Sequence, residues 1–171
     1  MRRPILLSPF AAILAGCGLL PGLLQARPCT VDKVVPAQIF AVTAPARATA
    51  GQPFKVTAWI RLPEGGGGVS HRVTADAVKI TPEADGKTLT VTGKIDRTEP
   101  APGSNCAFPA IYQPVQAWKT ETGATLQAGT YQIRIAPESF TGDRPEIVAG
   151  EPYGSGVQAP SPQASTSITV E

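Results

Sequence analysis

Histidine and methionine are almost missing from this chain of 171 residues, in which His71 is the only histidine and Met1 the only methionine. A Ser-His-Asp triad would have to use His71, but the adjacent Ser70 points the opposite way on a strand, because successive strand residues alternate between faces. Copper carriers rely on clusters of methionine and histidine, which one residue of each type does not form. The composition therefore argues against both a triad hydrolase and a copper carrier.

The cysteines and carboxylates show no metal-binding pattern. No Cys-x-x-Cys pair occurs, and the aspartates and glutamates are scattered along the chain. Asp85 and Asp143 stand in turn-like stretches, where aspartate is common for backbone reasons alone. We therefore predict no metal site, no cofactor and no catalytic residue, and we expect that the protein is not an enzyme. A hydrolase is the weakest alternative.

Charge is also scarce, since charged residues make up 16% of the sequence and hydrophobic residues 42%. This balance argues against a charged, disordered tail. Without Arg2 and Arg3, which belong to a segment that we expect to be removed, thirteen basic residues face thirteen acidic ones. A chain without net charge has no electrostatic footprint for nucleic acid, so we predict no nucleic-acid partner.

The N-terminus has the layout of an export signal. A basic start at 2–3 is followed by a mostly apolar run over 5–14 and then by Leu14-Ala15-Gly16-Cys17. The run is too short for a comfortable membrane-spanning helix and is typical of a signal peptide. Leu-Ala-Gly-Cys resembles the bacterial lipobox. This resemblance implies that residues 1–16 are removed and that Cys17 carries a lipid, which anchors the mature protein to a membrane of the cell envelope.

An alternative processing site lies further along the chain. Apolar residues continue to Ala26, and a cut by ordinary signal peptidase after this residue leaves a periplasmic or secreted soluble protein. Both cuts remove the basic start of the chain, and the lipid-anchored form is the one that we predict.

Three cysteines are an odd number for an exported protein. If Cys17 carries lipid, Cys29 and Cys106 remain, and an oxidising compartment favours their pairing as a disulfide. Such a bridge closes a long loop and contributes about 4 kcal/mol in the chain-entropy model. The alternative is two buried thiols that stay unpaired.

Apolar and polar residues alternate in several short stretches. The clearest are 54–62 and 126–135. Alternation with period two predicts strands with one buried face. Further strands are predicted at 38–43, 70–80, 87–97, 111–120 and 166–171, which makes about seven. The apolar face changes within the 70–80 stretch, which suggests a bulge or a strand that serves two environments, and this stretch is predicted to form a hairpin with 87–97. Gly65-Gly66-Gly67-Gly68 is predicted to be a flexible connector.

The number and spacing of these strands predict an all-β sandwich. Ala-Gly-Gln-Pro-Phe-Lys-Val-Thr-Ala (50–58) and Ala-Gly-Thr-Tyr-Gln-Ile-Arg-Ile (128–135) resemble strands of bacterial immunoglobulin-like domains, and Gly-Thr-Tyr is similar to their tyrosine-corner region. The resemblance implies one antiparallel immunoglobulin-like β-sandwich over 38–171, after a tether and lead-in over 17–37. Neither strand carries a cysteine, so the inter-sheet disulfide of antibody domains is absent.

Aromatic residues outside the apolar faces are the candidate binding residues. Trp59 and Trp118 each fall opposite the apolar set of their strand, where they either cover the outer sheet surface or form a patch for a sugar or a protein. The stretch 138–165 is longer than an ordinary connector and carries Phe140 and Tyr153. It is either a floppy connector or a binding loop, and in the second case we expect that part of it packs on the sandwich and part presents a contact surface.

The observations lead to one functional expectation and one main alternative. We expect a non-enzymatic lipoprotein of the cell envelope that acts as a binding or structural module, with an envelope protein or a glycan as its partner. The alternative is a secreted, protease-inhibitor-like protein that presents the 138–165 loop.

Overall fold

A computed structural model of the protein describes residues 28–151 and 155–171. Over these two ranges the protein is all-β and contains no helix. The strands are, in chain order, β1 (Thr30–Pro36), β2 (Gln38–Thr43), β3 (Arg47–Ala48), β4 (Pro53–Leu62), β5 (Gly65–Gly66), β6 (Ser70–Arg72), β7 (Val78–Pro82), β8 (Thr88–Pro100), β9 (Tyr112–Gln113), β10 (Gln116–Thr125), β11 (Gly129–Ile135), β12 (Ile147–Val148) and β13 (Ser165–Val170).

The larger sheet has seven strands and is built around β8. Its main path runs β1-β8-β11-β13-β3, and β6 and β7 also pair with β8. β8 is antiparallel to β1, β6 and β7 but parallel to β11. The predicted hairpin is present, but its first arm is not one bulged strand. A turn, closed by a 3.1 Å hydrogen bond from the N–H of Ala77 to the carbonyl of Thr74, divides it into β6 and β7.

The smaller sheet has four strands in the order β12-β10-β4-β2. β4 and β10 are antiparallel over ten residue pairs, from Pro53↔Thr125 to Leu62↔Gln116. β12 is parallel to β10 at its start, and β2 pairs with the other side of β4. A separate two-stranded ladder joins β5 to β9.

The two larger sheets pack face to face around one hydrophobic core. The alternation in the sequence of β4 is matched by its burial, because every second residue from Phe54 to Leu62 faces this core. The opposite sheet contributes buried residues from four strands, namely Val78, Leu89, Val91, Ile95, Ile133, Ile135, Ile168 and Val170. The predicted inward faces of β4, β8, β11 and β13 are therefore confirmed.

A second, smaller core covers the outer face of the four-stranded sheet. It consists of Phe40, Ala41, Ala117, Val148 and Ala159, with the half-buried Trp59 packed against them. The chain that follows β11 pairs with β2 at Phe140, reaches β10 as β12, and returns to β2 at Gln163. The stretch 138–165 therefore crosses this sheet as a cover.

Thr30–Pro36, expected to belong to the lead-in, is instead a strand of the larger sheet. β1 pairs with β8 over seven residues, from Thr30↔Pro100 to Pro36↔Lys94. Pairing with the second half of β8 satisfies the backbone of both strands, so the sheet begins eight residues before the predicted start of the sandwich at residue 38.

Candidate functional site

The Cys29–Cys106 disulfide lies at one end of the two sheets. The two Cα atoms are 5.7 Å apart, and the bridge joins residues that are 77 positions apart in the sequence. Cys29 directly precedes β1, and its carbonyl accepts a 2.9 Å hydrogen bond from the N–H of Ala101, just after β8. The predicted pairing is therefore present, and it ties the loop after β8 to the start of β1. We call the stretches 63–69, 101–115 and 143–147, which gather beyond the ends of β4 and β8, the braced end.

The four glycines of the braced end form a packed turn and not a flexible connector. Gly65 and Gly66 pair with Gln113 and Tyr112 in the β5–β9 ladder. A Cβ on Gly66 would lie 2.4 Å from the carbonyl oxygen of Ile111, a distance that real Cβ atoms do not reach. The backbone of 107–113 is therefore held against the glycine turn, and glycine is needed because the two backbones approach so closely.

Two large side chains of this held loop point into solvent. Ile111 is 62% exposed and Tyr112 is 67% exposed. The Tyr112 hydroxyl donates a 3.2 Å hydrogen bond to Oε1 of Glu64, and this bond is the main reason why the pKa of Tyr112 is raised. An apolar and an aromatic side chain are thus exposed on a backbone that a disulfide and a short ladder restrain.

Beside this loop lies a polar pocket of about 380 Å³, lined by Arg61, Pro63, Glu64, His71, Arg97 and Val115. It is polar because β8 extends beyond the core. The inward parity of Leu89, Val91 and Ile95 continues to Arg97, which lies beyond the last residue that β8 contributes to the main core. The inner face of the sheet therefore changes from apolar to charged at the braced end.

His71 and Arg97 are cross-strand partners in this pocket. Burial, and secondarily the positive charge of Arg97, lower the pKa of His71. His71 Nδ1 and Arg97 Nε are both buried and have no hydrogen-bond partner among the described residues. Arg97 Nε lies 3.3 Å from Oε2 of Glu99, outside hydrogen-bonding geometry, so this contact is only an ion pair. The pocket therefore has unused hydrogen-bonding capacity.

A neighbouring pocket of about 360 Å³ shares Arg61, Glu64 and Val115 with the first one. Its other wall includes Tyr112 and the stretch 143–147, which leads into β12. The long segment after β11 contributes only to this second pocket, through 143–147.

No protein-family model, no curated protein and no solved structure matches this chain.

The sequence places Trp59 and Trp118 each opposite the apolar residues of its strand, but the structure places them on opposite faces of the four-stranded sheet. Trp59 is half-buried on the outer face of the four-stranded sheet, and its ring centroid is 6.4 Å from that of Phe40. Trp118 pairs with Ile60, which faces the main core, so Trp118 lies on the other face of the sheet. Trp59 and Trp118 therefore lie on opposite faces of the sheet and do not share one outer surface. The cause is Ala117, whose side chain faces the outer core and reverses the assumed polarity of β10.

Phe140 is 38% exposed, and its backbone pairs with Ile39 of β2. Phe140 is only three residues before the stretch 143–147 that reaches the braced end, but it does not line either pocket there. Cys17 and Tyr153 lie outside the described residues. Of the candidate residues from the sequence, the structure brings together only Cys29 and Cys106 at the braced end.

Sequence reasoning missed Ile111, Tyr112, Arg61 and Arg97. The available signal was the position of the 107–113 stretch directly after Cys106, because a disulfide next to a loop restrains that loop. No local pattern connects Arg61 with Arg97, since they belong to different sheets and line the same pocket only in the folded protein.

The part of the chain that the structure describes contains neither a metal-binding group of side chains nor a membrane-spanning helix. Residues 28–151 and 155–171 contain no group of three or more His, Cys, Asp or Glu side chains placed to hold a metal ion. The same residues contain no helix that is long and apolar enough to cross a membrane.

Proposed function

We propose that this protein is an exported, lipid-anchored lipoprotein of the bacterial cell envelope that works without catalysis, as a binding module. The braced end is its binding surface. The export and the lipid anchor are proposed from the motif Leu14-Ala15-Gly16-Cys17. The observation that carries the binding role is the exposure of Ile111 and Tyr112 on a loop that the Cys29–Cys106 disulfide and the glycine turn hold in place.

The energetic argument is one of preorganisation. Large exposed apolar and aromatic side chains mark contact surfaces, and aromatic residues are frequent among those that dominate binding energy. A side chain on a restrained backbone loses less conformational entropy on binding than one on a loose loop. Ile111 and Tyr112 meet both conditions, since the β5–β9 ladder fixes the backbone beside them.

We further propose that the scaffold is an immunoglobulin-like sandwich. In support, the Tyr131 hydroxyl donates a 3.0 Å hydrogen bond to the carbonyl of Gln127, four residues upstream, as a tyrosine corner does. Loops at the ends of such a sandwich carry binding in many proteins, because they vary without disturbing the core. The parallel pairing of β8 with β11 departs from the purely antiparallel sheets of antibody domains.

The protease-inhibitor alternative has less support. It needs the 138–165 stretch to be presented to a protease, whereas Val148 and Ala159 of this stretch are buried over the outer face of the sheet. Its backbone is also hydrogen-bonded to β2 at two places, through Thr141 N to Ile39 O at 3.0 Å and through Gln163 N to Phe40 O at 2.8 Å. A segment that is held in this way covers the outer face of the four-stranded sheet.

The proposal is tested by crosslinking in intact envelopes. A photo-reactive amino acid at position 111 should crosslink to a defined partner, and Tyr112→Ser should reduce the yield at that position. The matched control places the photo-reactive residue at Val34, which is 65% exposed on β1 and outside the braced end. Equal crosslinking from positions 34 and 111, or none from 111, would contradict the proposal.

A further inference from the structure

We infer that the pocket between Arg61 and Arg97 binds an oxyanion, a carboxylate or a phosphate group, presented by the ligand of the braced end. This inference rests on the proposed binding role for its biological meaning. Neither Ile111 nor Tyr112 lines this pocket.

Two arginines from opposite sheets line one pocket. Arg61 is the penultimate residue of β4 in the four-stranded sheet, and Arg97 lies on β8 of the larger sheet. Guanidinium groups match the geometry of carboxylates and phosphates, to which they donate paired, charge-assisted hydrogen bonds. The pocket volume of about 380 Å³ suits one anionic group and a short part of the molecule that carries it.

The protein itself does not fully neutralise these two arginines. Among the described residues, the side-chain hydrogen bond that Arg61 makes goes to a neutral acceptor, Oε1 of Gln38, at 3.2 Å. Arg97 shares Glu99 with Lys33, so a single carboxylate serves two cations. Glu64 is the one carboxylate lining the pocket, and its Oε1 already accepts the Tyr112 hydroxyl. The pocket therefore has an excess of donors and of positive charge.

His71 adds a neutral ring to the same wall. Its side chain lies beside Arg97, and both residues contain a buried nitrogen without a hydrogen-bond partner. Leaving such groups unpaired costs free energy, which a ligand that satisfies them recovers. A bound anion would also counter the charge of Arg97 and favour protonated His71, so it would raise the pKa that Arg97 and burial lower.

Because His71 is the only histidine in the chain, its imidazole C2–H signal can be followed by proton NMR without assignment. The probes are inorganic phosphate and acetate, added to the mature protein at constant ionic strength. We expect a saturable shift of the His71 signal and a raised His71 pKa at saturation. Saturation by phosphate alone indicates a phosphate-type ligand, and saturation by acetate indicates a carboxylate.

Arg61→Gln and Arg97→Gln should each weaken binding of the saturating probe by about tenfold or more, since a hydrogen bond to a charged group contributes roughly 1.5–3 kcal/mol. Arg97→Lys, which keeps the charge, should retain part of the affinity. The matched control is Arg72→Gln, because Arg72 is the neighbour of His71 on β6 but pairs with Asp96 at 2.8 Å, away from this pocket.

A non-saturable shift for both probes in the wild-type protein, or equal losses for Arg72→Gln and Arg97→Gln, would overturn the inference, because general screening would then explain the effect. The wild-type titration does not depend on how well any variant folds. If phosphate and acetate fail while position 111 still crosslinks to its partner, the anion inference falls and the proposed function stands. If the probes bind and position 111 does not crosslink, the anion inference stands and the proposed function falls.

Discussion

Phe108 packs against Gly68 so closely that a Cβ on the glycine would lie 2.6 Å from Cδ1 of the ring. Gly68 also has a φ of +87°, in a region that side-chain-bearing residues rarely adopt. Phe108 stands two residues after Cys106, so this contact and the disulfide act on the same loop. The glycine run is a packing surface for the loop that exposes Ile111 and Tyr112.

Gly68→Ala should therefore destabilise the protein more than Gly67→Ala. Gly67 has a φ of +58° but open space around it, so alanine there costs only backbone strain, roughly 1–2 kcal/mol. Alanine at position 68 adds a collision with Phe108. Urea unfolding measures both free energies, and hydrogen exchange at 107–113 should accelerate in the Gly68 variant alone. Equal costs and equal exchange would contradict the packing role.

Removal of the disulfide should lower the free energy of unfolding by about 2–5 kcal/mol, the range typical of small secreted domains. Cys29→Ser, Cys106→Ser and the double variant should lose similar amounts, because each removes the same bridge. Non-reducing mass spectrometry of the wild-type protein should give a Cys29–Cys106 peptide. Full alkylation of both thiols in native, unreduced protein would show that the bridge does not form.

Val148→Ala should cost about 1–3 kcal/mol of stability, because Val148 is buried in the outer core with Phe40 and Ala117. The same substitution at Val157, an exposed residue of the same segment, should change stability by less than about 0.5 kcal/mol. For the same reason, replacing residues 141–164 by a short Gly/Ser connector should destabilise the fold. Thermal unfolding measures all three, and a neutral Val148→Ala would mean that the segment is not a cover.

Glu83 should make the stability sensitive to acid. A hydrogen bond from Thr90, and then pairing with Arg134 at 2.7 and 2.9 Å, lower the pKa of Glu83. Because the folded-state pKa lies below the unfolded one, ionised Glu83 stabilises the fold above the unfolded pKa, and this contribution is lost as pH falls through the folded pKa. Glu83→Gln should therefore flatten the fall in stability between neutral and acidic pH.

The matched control for this effect is Glu138→Gln, at an exposed glutamate outside the Glu83 cluster. It should leave the slope of stability against pH unchanged. Urea unfolding at several pH values gives the slopes, and a Glu83→Gln slope equal to that of the wild type would contradict the assignment.

Cys17→Ala should abolish labelling by a radioactive fatty acid and should release the protein from the membrane fraction. The reason is that the thiol of Cys17 is the predicted attachment point of the lipid in Leu14-Ala15-Gly16-Cys17. Cys29→Ser serves as the control, since it removes another cysteine but leaves this motif intact. A mature wild-type N-terminus at Arg27 would show instead that ordinary signal peptidase processes the chain.

The sequence by itself determined the all-β class and most of the strands. β4 and β11 were predictable because period-two alternation is a local property, and each strand has one face against the main core. The Cys29–Cys106 pair followed from the count of cysteines and the expected compartment. β1 was missed because its exposed residues, including Val34 at 65%, leave no alternation to detect.

Only the tertiary structure decided what covers each face. Ile39, Phe40, Ala41 and Val42 are all buried, since the main core lies on one side of β2 and the 138–165 stretch on the other. The face of Trp118 and the meeting of Arg61 with Arg97 depend on the same long-range packing. A local pattern records which side of a strand is apolar, but the partner of that side comes from a distant part of the chain, and the site is built from those distant contacts.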